Sequence, residues 1–375
     1  MSAMNAISVM VKPASGRCNM SCRYCFYADV VKSRMTKDGG LMTLEVLECI
    51  VSRTLIEAEA FCSFVFQGGE PTLAGTDFYK ELIRLVNHYN VNKIKVCYAL
   101  QTNGLLIDES WAEFLAENLF LTGLSIDGDE IIHDMYRHDM SGNGTHNRCL
   151  NAARILKKAG AEFNILTVVT RQMADHPERI YRFYKREGFR YLQFIPCMDA
   201  LKHGAGFGDN TPDADAYGDF LCRLFDLWYQ DYIEGVYVSI RTFDNYITML
   251  AGYPPENCAM RGECTVNALI ESDGSVYPCD FYAVDEYFLG NIMDQGFSEL
   301  YQRGNAVKFI AESMELPSGC LQCEYYKLCR GGCRRDCEPF VQAKRSINRY
   351  CGAYKRFFLH SLPRMRTIAR SLELR

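Results

Sequence analysis

The stretch Cys18-Asn-Met-Ser-Cys22-Arg-Tyr-Cys25 places three cysteines in a C-x3-C-x2-C pattern just after a short apolar run. Soft thiolate ligands select iron–sulfur clusters or zinc. A structural zinc site closes its fourth coordination position, whereas a reactive metal site keeps one position open. Three cysteines in one tight loop therefore predict a four-iron cluster with one iron left free for a small molecule. Three structural cysteines, or part of a zinc site, are the alternative interpretation.

The composition is that of an ordinary globular protein. The chain has 375 residues, of which 48% are hydrophobic and 23% are charged, so one large and one smaller domain are expected. The formal net charge of −5 gives no indication of nucleic-acid binding. The sequence has no apolar run of about 18 residues, so no membrane span is predicted. Residues 1–11 lack a basic beginning and a cleavage site, and we interpret them as leading into a first strand rather than as a signal peptide.

The cysteine content is unusual for a chain of this length. There are 18 cysteines and no export signal. Such a chain is expected in a reducing cytoplasm, where clustered cysteines hold metals more often than they form disulfides. We therefore predict a cytoplasmic protein, and oxygen-labile clusters would place it in an anaerobic or microaerobic setting.

The first 235 residues alternate strand-like and helix-like segments, which predicts an α/β fold. The predicted strands are residues 7–11, 63–66, 94–100, 121–126, 162–169 and 191–195. The predicted helices are residues 42–60, 77–90, 109–118, 146–159, 177–187 and 213–234. Six βα units are fewer than the eight of a full barrel, so we predict a parallel, partial (β/α)6 barrel over residues 1–235. Residues 236–375 show less alternation and more cysteines, and they are predicted to form a second domain.

Three short motifs follow successive predicted strands. Gln67-Gly68-Gly69-Glu70-Pro71 follows the second strand, Gln101-Thr102-Asn103-Gly104 the third, and Ser125-Ile126-Asp127-Gly128 the fourth. Glycine lets the backbone approach a ligand closely, because it has no side chain to block it. Each motif alone is a weak, turn-like signal. Their shared position indicates that the loops at the strand ends carry the chemistry.

A second set of cysteines lies in the C-terminal part of the chain. Its members are Cys258, Cys264, Cys279, Cys320, Cys323, Cys329, Cys333 and Cys351. Eight thiolates are enough for two complete four-iron clusters. Pairs with C-x2-C spacing are also typical of zinc, so two zinc sites are the alternative. The spacing alone does not divide the ligands into two groups, and Cys337 is assigned to neither.

Outside the cysteines, Asp280 is the best candidate for a catalytic residue. It directly follows Cys279 in the run Tyr277-Pro278-Cys279-Asp280-Phe281-Tyr282. A carboxylate beside a cluster is suited to take a proton from a carbon-centred radical while the cluster takes its electron. A turn or capping aspartate is the alternative, since that is an ordinary role for Asp.

The full set of motifs resembles the anaerobic sulfatase-maturating enzymes, a branch of the radical S-adenosylmethionine (SAM) superfamily with a cysteine-rich SPASM extension. The resemblance rests on the cysteine triplet with Phe26 and Tyr27, and on residues 64–71, 100–104, 272–282 and 329–335. It covers nearly the whole chain. The run at residues 272–282 is the most discriminating part, because the other motifs are common to the superfamily.

The resemblance implies three [4Fe-4S] clusters and SAM as cofactors. The implied ligands are Cys18, Cys22 and Cys25 for the SAM cluster, Cys258, Cys264, Cys279 and Cys333 for a first auxiliary cluster, and Cys320, Cys323, Cys329 and Cys351 for a second. The implied SAM contacts are Tyr24, Gly69, Ser125, Arg137 and Met198, with Gln67 and Tyr27 as substrate-side or adenosine-side contacts. Met198 stands where the family resemblance suggests Leu, which is a mild apolar exchange.

The implied activity is the oxidation of a Ser or Cys in a sulfatase C/S-x-P-x-R motif to Cα-formylglycine. A radical derived from SAM abstracts a Cβ hydrogen, Asp280 removes the hydroxyl or thiol proton, and an auxiliary cluster accepts the second electron. The implied partners are an unfolded or nascent sulfatase and an electron donor such as ferredoxin or flavodoxin. Nothing requires more than a monomer, and neither nucleic acid nor a membrane is expected as a partner.

Two other functions are compatible with parts of this pattern. A SPASM radical SAM enzyme that modifies a ribosomally made peptide, by thioether formation, epimerisation or another crosslink, shares the cofactors and differs in substrate. A zinc- or cluster-stabilised binding or electron-transfer module would lack SAM chemistry. The Gly-Gly-Glu-Pro stretch at residues 68–71 and the open cysteine triplet argue against that module.

Overall fold

The computed structural model describes residues 4–32, 34, 39–199, 201, 208–340 and 345–373. The strands in these ranges are β1 (Met4–Val11), β2 (Ala58–Phe66), β3 (Lys95–Thr102), β4 (Phe120–Ser125), β5 (Phe163–Val169), β6 (Tyr191–Pro196), β7 (Ser239–Ile240), β8 (Leu269–Ile270), β9 (Ser275–Tyr277) and β10 (Gly290–Asn291). The helices are α1 (Phe26–Lys32), α2 (Leu44–Glu57), α3 (Thr76–Tyr89), α4 (Glu109–Glu117), α5 (Glu130–Tyr136), α6 (His146–Ala159), α7 (Arg171–Ala174), α8 (Pro177–Glu187), α9 (Ala214–Ile233), α10 (Arg241–Leu250), α11 (Phe297–Tyr301), α12 (Gly304–Met314), α13 (Ser318–Leu321), α14 (Tyr326–Cys329) and α15 (Cys351–Glu373).

The chain forms two compact units, each built from three segments. The first unit comprises Met1–Ile126, Asp134–Phe163 and Val266–Phe309. The second comprises Asp127–His133, Asn164–Thr265 and Ile310–Arg375. The domain boundary predicted after residue 235 divides the chain into two continuous segments, whereas each compact unit combines three segments. That boundary stays a prediction.

The first unit contains a sheet with the strand order β10-β9-β8-β1-β2-β3-β4. Strands β1 to β4 are parallel, with Val11 opposite Phe66 and Phe66 opposite Leu100. Strand β8 pairs parallel to β1, whereas β9 and β10 add antiparallel strands beyond it. The carboxyl ends of β1 to β4 therefore meet at one edge, where parallel sheets place their functional loops.

Alternating apolar side chains explain why these strands bury one face. Ile7, Val9 and Val11 of β1 are buried, whereas the intervening residues are more exposed. The ring of Phe66, at the end of β2, packs on the ring of Tyr79 in α3, with centroids 5.0 Å apart. Such aromatic contacts bury large apolar areas and hold α3 against the sheet.

The second unit contains the parallel strands β6 and β7 and most of β5, with long helices beside them. Helix α9 begins after Asp213, whose carboxylate accepts a hydrogen bond from the Ala216 N–H at 2.9 Å. The rings of Phe225, Phe243 and Phe357 lie within 5.3–5.8 Å of one another and join α9, α10 and α15. This aromatic cluster forms the centre of that core.

The six predicted strands are confirmed to within a few residues, apart from an earlier start of β2. The helix predicted over residues 42–60 ends at Glu57, so the prediction is wrong for residues 58–60, which begin β2. The short helices α1 and α5 were not predicted. None of the described helices combines the length and the low polarity that crossing a membrane requires.

Candidate active site

The main chain of a neighbouring segment positions the three-cysteine loop of the first unit. The Ser21 N–H donates to the His138 carbonyl at 2.8 Å, and the Arg23 N–H donates to the Tyr136 carbonyl at 3.0 Å. Helix α1 then begins directly after Cys25. These contacts fix the path of the loop and therefore the places of its three thiols.

The Cys18 thiol lies where a negative charge is poorly hydrated. Burial raises the pKa of Cys18 to about 12, whereas the Met20 N–H, which donates to its Sγ at 3.4 Å, lowers that pKa. The charges of Glu70, Cys22 and Cys25 raise it further. A thiolate in this position needs a cation beside it, which the iron of a cluster would supply. The loop therefore fits the predicted cluster.

A glycine turn at the end of β2 lies directly against the cysteine loop. Gly69 has a φ of 52°, in the left-handed region that favours glycine. A Cβ at this position would lie 2.1 Å from the Arg17 carbonyl oxygen, so no larger residue fits without moving the loop. The close approach leaves the backbone of the turn next to the place where the predicted cluster would lie.

Glu70 joins the ends of β2 and β3. It is buried, and its Oε1 accepts hydrogen bonds from the Thr72 N–H at 3.1 Å and the Thr102 hydroxyl at 2.8 Å. Its Oε2 accepts one from the Asn103 N–H at 2.8 Å. Burial raises the pKa of Glu70, and these donors lower it. Glu70 therefore shapes the edge of the sheet that carries the predicted SAM contacts.

The first unit holds all but one of the residues predicted to contact SAM or substrate. These residues are Tyr24, Gly69, Ser125 and Arg137, together with Gln67 and Tyr27. Gln67 follows β2 and Ser125 ends β4, so parallel strands bring both to one edge. The Arg137 guanidinium carbon lies 5.5 Å from the centroid of the Tyr24 ring. Met198 lies two residues past β6 in the second unit.

Asp280 lies beside a buried lysine that the sequence analysis missed. The Lys12 side chain is 0% exposed, and its Nζ lies 3.1 Å from Asp280 Oδ1 and 3.4 Å from Glu271 Oε1. The same ammonium lies 3.4 Å from the centroid of the Tyr27 ring. We call Lys12, Tyr27, Glu271 and Asp280 the Lys12 cluster. The sequence shows a lysine directly after an apolar strand and before Pro13, but this local pattern does not identify the residues that Lys12 contacts.

Opposing effects act on the carboxyl group of Asp280. Burial raises its pKa above the ordinary range, the Lys12 ammonium lowers it, and the Glu271 carboxylate raises it. The Asp280 side chain is 17% exposed, so one part of it is accessible while Oδ1 is buried. A carboxylate in this environment binds a proton more readily than one in water.

The Lys12 cluster adjoins the cysteine loop. Phe26, which follows Cys25, and Phe281, which follows Asp280, pack edge to face with ring centroids 5.3 Å apart. Desolvation is the largest cause of a raised pKa at Cys25, and the charge of Asp280 adds to it. The candidate base and the candidate cluster ligands thus lie in one region of the first unit.

Four cysteines of the second unit form one group. Cys320 lies in α13, Cys329 ends α14, Cys351 begins α15, and Cys323 lies between α13 and α14. Burial raises the pKa of Cys329 to about 11, and the charges of the other three thiols contribute in the same direction. Four thiols within electrostatic reach of one another fit the predicted second auxiliary cluster.

The predicted ligands of the first auxiliary cluster come from both units. Cys258, Cys264 and Cys333 belong to the second unit, and Cys279 belongs to the first. The Cys264 N–H donates to the Ser313 hydroxyl at 2.8 Å. Across the described ranges, no three His, Cys, Asp or Glu side chains converge closely enough to hold a single metal ion.

Cys337 has protein partners of its own. It is buried, its thiol donates to the Cys333 carbonyl at 3.4 Å, and its sulfur accepts a hydrogen bond from the Arg345 guanidinium at 3.2 Å. Burial is the largest cause that raises the pKa of Cys337 to about 11, and Arg345 lowers it. These contacts are typical of a packed thiol.

Both parts of the chain match known families. The sequence pattern of the Radical SAM superfamily matches residues 13–184, and that of the SPASM iron–sulfur cluster-binding domain matches residues 258–324. Together with the parallel sheet and the cysteine groups, these matches define a radical SAM protein with a SPASM domain. The predicted fold class is thereby confirmed.

Similar proteins narrow this class. A cysteine-type anaerobic sulfatase-maturating enzyme of Clostridium novyi is 44% identical over 372 residues, which are 99% of this chain and 100% of that protein. A serine-type enzyme of Klebsiella pneumoniae is 31% identical over 370 residues, or 97% of this chain and 89% of that protein. The solved structure of native anSMEcpe with bound AdoMet and Cp18Cys peptide has a TM-score of 0.94 and 43% identity, covering 98% of this chain and 99% of that one. This chain belongs to the family of anaerobic sulfatase-maturating enzymes.

Proposed function

We propose that this protein oxidises a cysteine or serine of a sulfatase polypeptide to Cα-formylglycine. The observation that carries the proposal is the place of Asp280 beside the three-cysteine loop, marked by the 5.3 Å contact between Phe26 and Phe281. Membership of the family over the full length of the chain supports the same reaction. A proton acceptor and a radical source must lie together for this oxidation, because both act on one side chain.

Cysteine is the preferred substrate residue in this proposal. The relatives at 44% identity are named cysteine-type enzymes, whereas those at 29% and 31% are named serine-type enzymes. The difference in similarity favours the cysteine-type activity for this chain. The sulfatase would be bound as an unfolded or nascent chain, since the target side chain must enter the site.

Three [4Fe-4S] clusters and SAM are the cofactors in this proposal. The SAM cluster would be held by Cys18, Cys22 and Cys25, the first auxiliary cluster by Cys258, Cys264, Cys279 and Cys333, and the second by Cys320, Cys323, Cys329 and Cys351. Tyr24, Gly69, Ser125, Arg137 and Met198 would hold SAM, and Gln67 and Tyr27 would contact adenosine or substrate. When bound, SAM and its cluster supply the radical that removes the Cβ hydrogen of the substrate.

Asp280 acts in this proposal as the proton acceptor. The substrate gives up a hydrogen atom from Cβ, a proton from its thiol or hydroxyl, and one electron. Asp280 takes the proton, and its neighbour Cys279 would be a ligand of the auxiliary cluster that would accept the electron. A serine substrate yields the aldehyde directly. A cysteine substrate yields a thioaldehyde, which water converts to the aldehyde with release of hydrogen sulfide.

The remaining partners follow from the reaction. An electron donor such as ferredoxin or flavodoxin would reduce the SAM cluster, and the enzyme would act as a monomer in the cytoplasm. Each turnover that returns the substrate electron to the protein needs no further reductant, because SAM cleavage consumes one electron and substrate oxidation releases one. The donor is therefore needed to start the cycle and to replace lost electrons.

The test is an anaerobic assay of the iron- and sulfide-loaded protein with SAM, a reductant and paired peptides that differ only in Ser or Cys at the target position. We expect the Cys peptide to exchange its thiol and one hydrogen for a carbonyl oxygen, and the Ser peptide to lose two hydrogens more slowly, as read by mass spectrometry. SAM cleavage with both peptides unchanged would contradict the sulfatase substrate and favour another peptide. A loaded protein that leaves SAM intact would contradict the enzymatic function itself.

A further inference from the structure

The Lys12 ammonium is a buried cation for which the proposed reaction has no role. It faces Asp280 at 3.1 Å, Glu271 at 3.4 Å and the face of the Tyr27 ring at 3.4 Å. A lysine is rarely removed from water so completely unless its charge is paired. The groups in contact with Lys12 therefore indicate which carboxylate its positive charge stabilises.

Glu271 already has a cation of its own. The Arg34 guanidinium donates to Glu271 Oε1 at 2.5 Å, and the Ser15 hydroxyl donates to Oε2 at 2.8 Å. Two cations thus face two carboxylates, and Lys12 is the cation that contacts Asp280. Without the Lys12 charge, Asp280 would face the Glu271 carboxylate with no cation in contact, and the two would repel each other.

The Lys12 side chain is held along its whole length. The main-chain N–H of Lys12 donates to the Ile270 carbonyl at 2.9 Å, next to the pairing of β1 with β8, and this bond fixes the start of the side chain. A Cβ at Gly68 would lie 2.7 Å from both Cγ and Cδ of Lys12, so the stem lies directly on the backbone of the glycine turn. A side chain confined in this way fixes the position of its ammonium group and of the carboxylate that it contacts.

We propose that Lys12 is a positioning residue that holds the Asp280 carboxylate by Oδ1, so that Oδ2 is the oxygen presented to the substrate proton. This inference rests on the proposed function, because it requires Asp280 to be the proton acceptor. Lys12 acts through Asp280 and takes no proton itself. Its loss would leave hydrogen abstraction intact and impair the proton transfer that follows.

The test compares Lys12→Met with the matched control Lys185→Met. Lys185 contacts Asp231 at 2.6 Å and lies over the Tyr181 ring, so the control removes a lysine from a similar set of residues in the second unit. Both variants receive iron, sulfide, SAM, a reductant and a Cys peptide deuterated at Cβ. Three quantities are measured: deuterium transfer to 5′-deoxyadenosine, formylglycine formed per 5′-deoxyadenosine, and the dissociation constant of the peptide.

We expect Lys12→Met to keep deuterium transfer and peptide binding within about twofold, and to lower formylglycine per 5′-deoxyadenosine about tenfold or more. Lys185→Met should leave all three quantities unchanged. Lys12→Arg, which keeps the charge, should recover most of the ratio. An unchanged ratio in Lys12→Met, or no recovery in Lys12→Arg, would overturn the role of Lys12.

Two further outcomes are separated by the design. If Lys12→Met does not load its clusters, Lys12→Gln and Lys12→Arg make the same comparison, and equal ratios in these two variants overturn the inference. A higher ratio in Lys12→Arg supports it. If the unmodified protein cleaves SAM but forms no formylglycine, the proposed function fails, independently of any Lys12 variant.

Discussion

Two Lys–Asp–Tyr groups in the described part of the chain, one in each unit, differ in how fully their polar atoms are paired. In the second unit, Asp231 accepts from Lys185 at 2.6 Å and from the Tyr181 hydroxyl at 2.7 Å. In the first unit, Lys12 contacts Asp280 at 3.1 Å and covers the Tyr27 ring. The Tyr27 hydroxyl is buried and has no hydrogen-bond partner among the described residues.

This difference distinguishes a group that only stabilises the fold from a group that can bind a ligand. Buried polar groups that serve only stability are normally satisfied within the protein, as in the Lys185 group. An unsatisfied buried hydroxyl on a ring that a buried ammonium covers is typical of a site that completes its hydrogen bonds with a ligand. The Lys12 side chain is also removed from water more completely than the Lys185 side chain, since the first is 0% exposed and the second is 35% exposed.

The largest difference between the two groups should be in activity, when the charge of Asp280 or of Asp231 is removed. We expect Asp280→Asn to lower formylglycine formation about 10²- to 10⁴-fold, because the proton acceptor is lost, while 5′-deoxyadenosine is still formed. Asp231→Asn should keep activity within about twofold, since that group only supports folding. Chromatography of both products from one reaction measures this, and equal losses in the two variants would contradict the comparison.

The next largest effect concerns stability after removal of each lysine. Lys12→Met should lower the free energy of unfolding by about 3–5 kcal/mol, because Asp280 and Glu271 remain buried with one cation fewer. Lys185→Met should lower it by about 1 kcal/mol or less, since that pair is partly hydrated. Urea unfolding of the metal-free proteins, followed by circular dichroism, measures both. Similar losses in the two variants would remove the distinction.

A third carboxylate sharpens the comparison, because it has no lysine. Asp244 accepts from the Ser239 hydroxyl at 2.5 Å, and burial raises its pKa from 3.8 to about 6, with Ser239 lowering it and Glu256 raising it. A raised pKa in the folded state favours the protonated form. Stability from this group is therefore full below about pH 4 and is lost as the pH rises through 6.

The measurement for Asp244 is the pH dependence of unfolding. Between pH 4 and 7 the wild-type protein should lose up to about 3 kcal/mol relative to Asp244→Asn, which cannot ionise at this position. Parallel pH profiles of the two proteins would show that Asp244 is well hydrated.

The smallest effects should come from removing the two tyrosine hydroxyls. One substitution should lower stability without changing activity, and the other should lower activity without lowering stability. Tyr181→Phe should lower the free energy of unfolding by about 1–2 kcal/mol, because the Asp231 hydrogen bond is lost, with activity unchanged. Tyr27→Phe should leave stability unchanged or slightly higher, because its hydroxyl has no partner to lose, and should lower formylglycine formation. Thermal unfolding and the peptide assay test both, and a destabilised Tyr27→Phe would refute the interpretation of an open site.

The sequence was sufficient for features that depend on near neighbours in the chain. The cysteine triplet, the strand ends at Gln67 and Ser125, and Asp280 beside Cys279 are all local patterns. Their positions in the sequence predict that they lie near one another, whereas the chemistry expected of them came from the family resemblance. The assignment of individual cysteines to two auxiliary clusters needed a family resemblance, because C-x2-C pairs do not specify their partners.

Features that depend on distant pairing could not be predicted. Lys12 contacts Asp280 and Glu271 because β8 pairs with β1, and no local signal predicts that pairing. Residues 58–60 favour a helix by propensity, yet the pairing of Ala58 with Met4 and Phe61 with Ala6 draws them into the sheet. In both cases a contact made across the chain outweighs what the neighbouring residues prefer.

The three-segment construction of the first unit has a consequence for its biosynthesis. Residues Val266–Phe309 supply β8 to β10, Glu271, Cys279 and Asp280, whereas the cysteine loop emerges from the ribosome with the first segment. At typical elongation rates, on the order of tens of seconds pass between synthesis of the loop and synthesis of the strand that pairs with β1 and of the carboxylates that neutralise Lys12. Metal delivery to the nascent chain would therefore meet exposed thiols in an unfinished unit, and slower translation would lengthen the time for which these thiols need protection from oxidation.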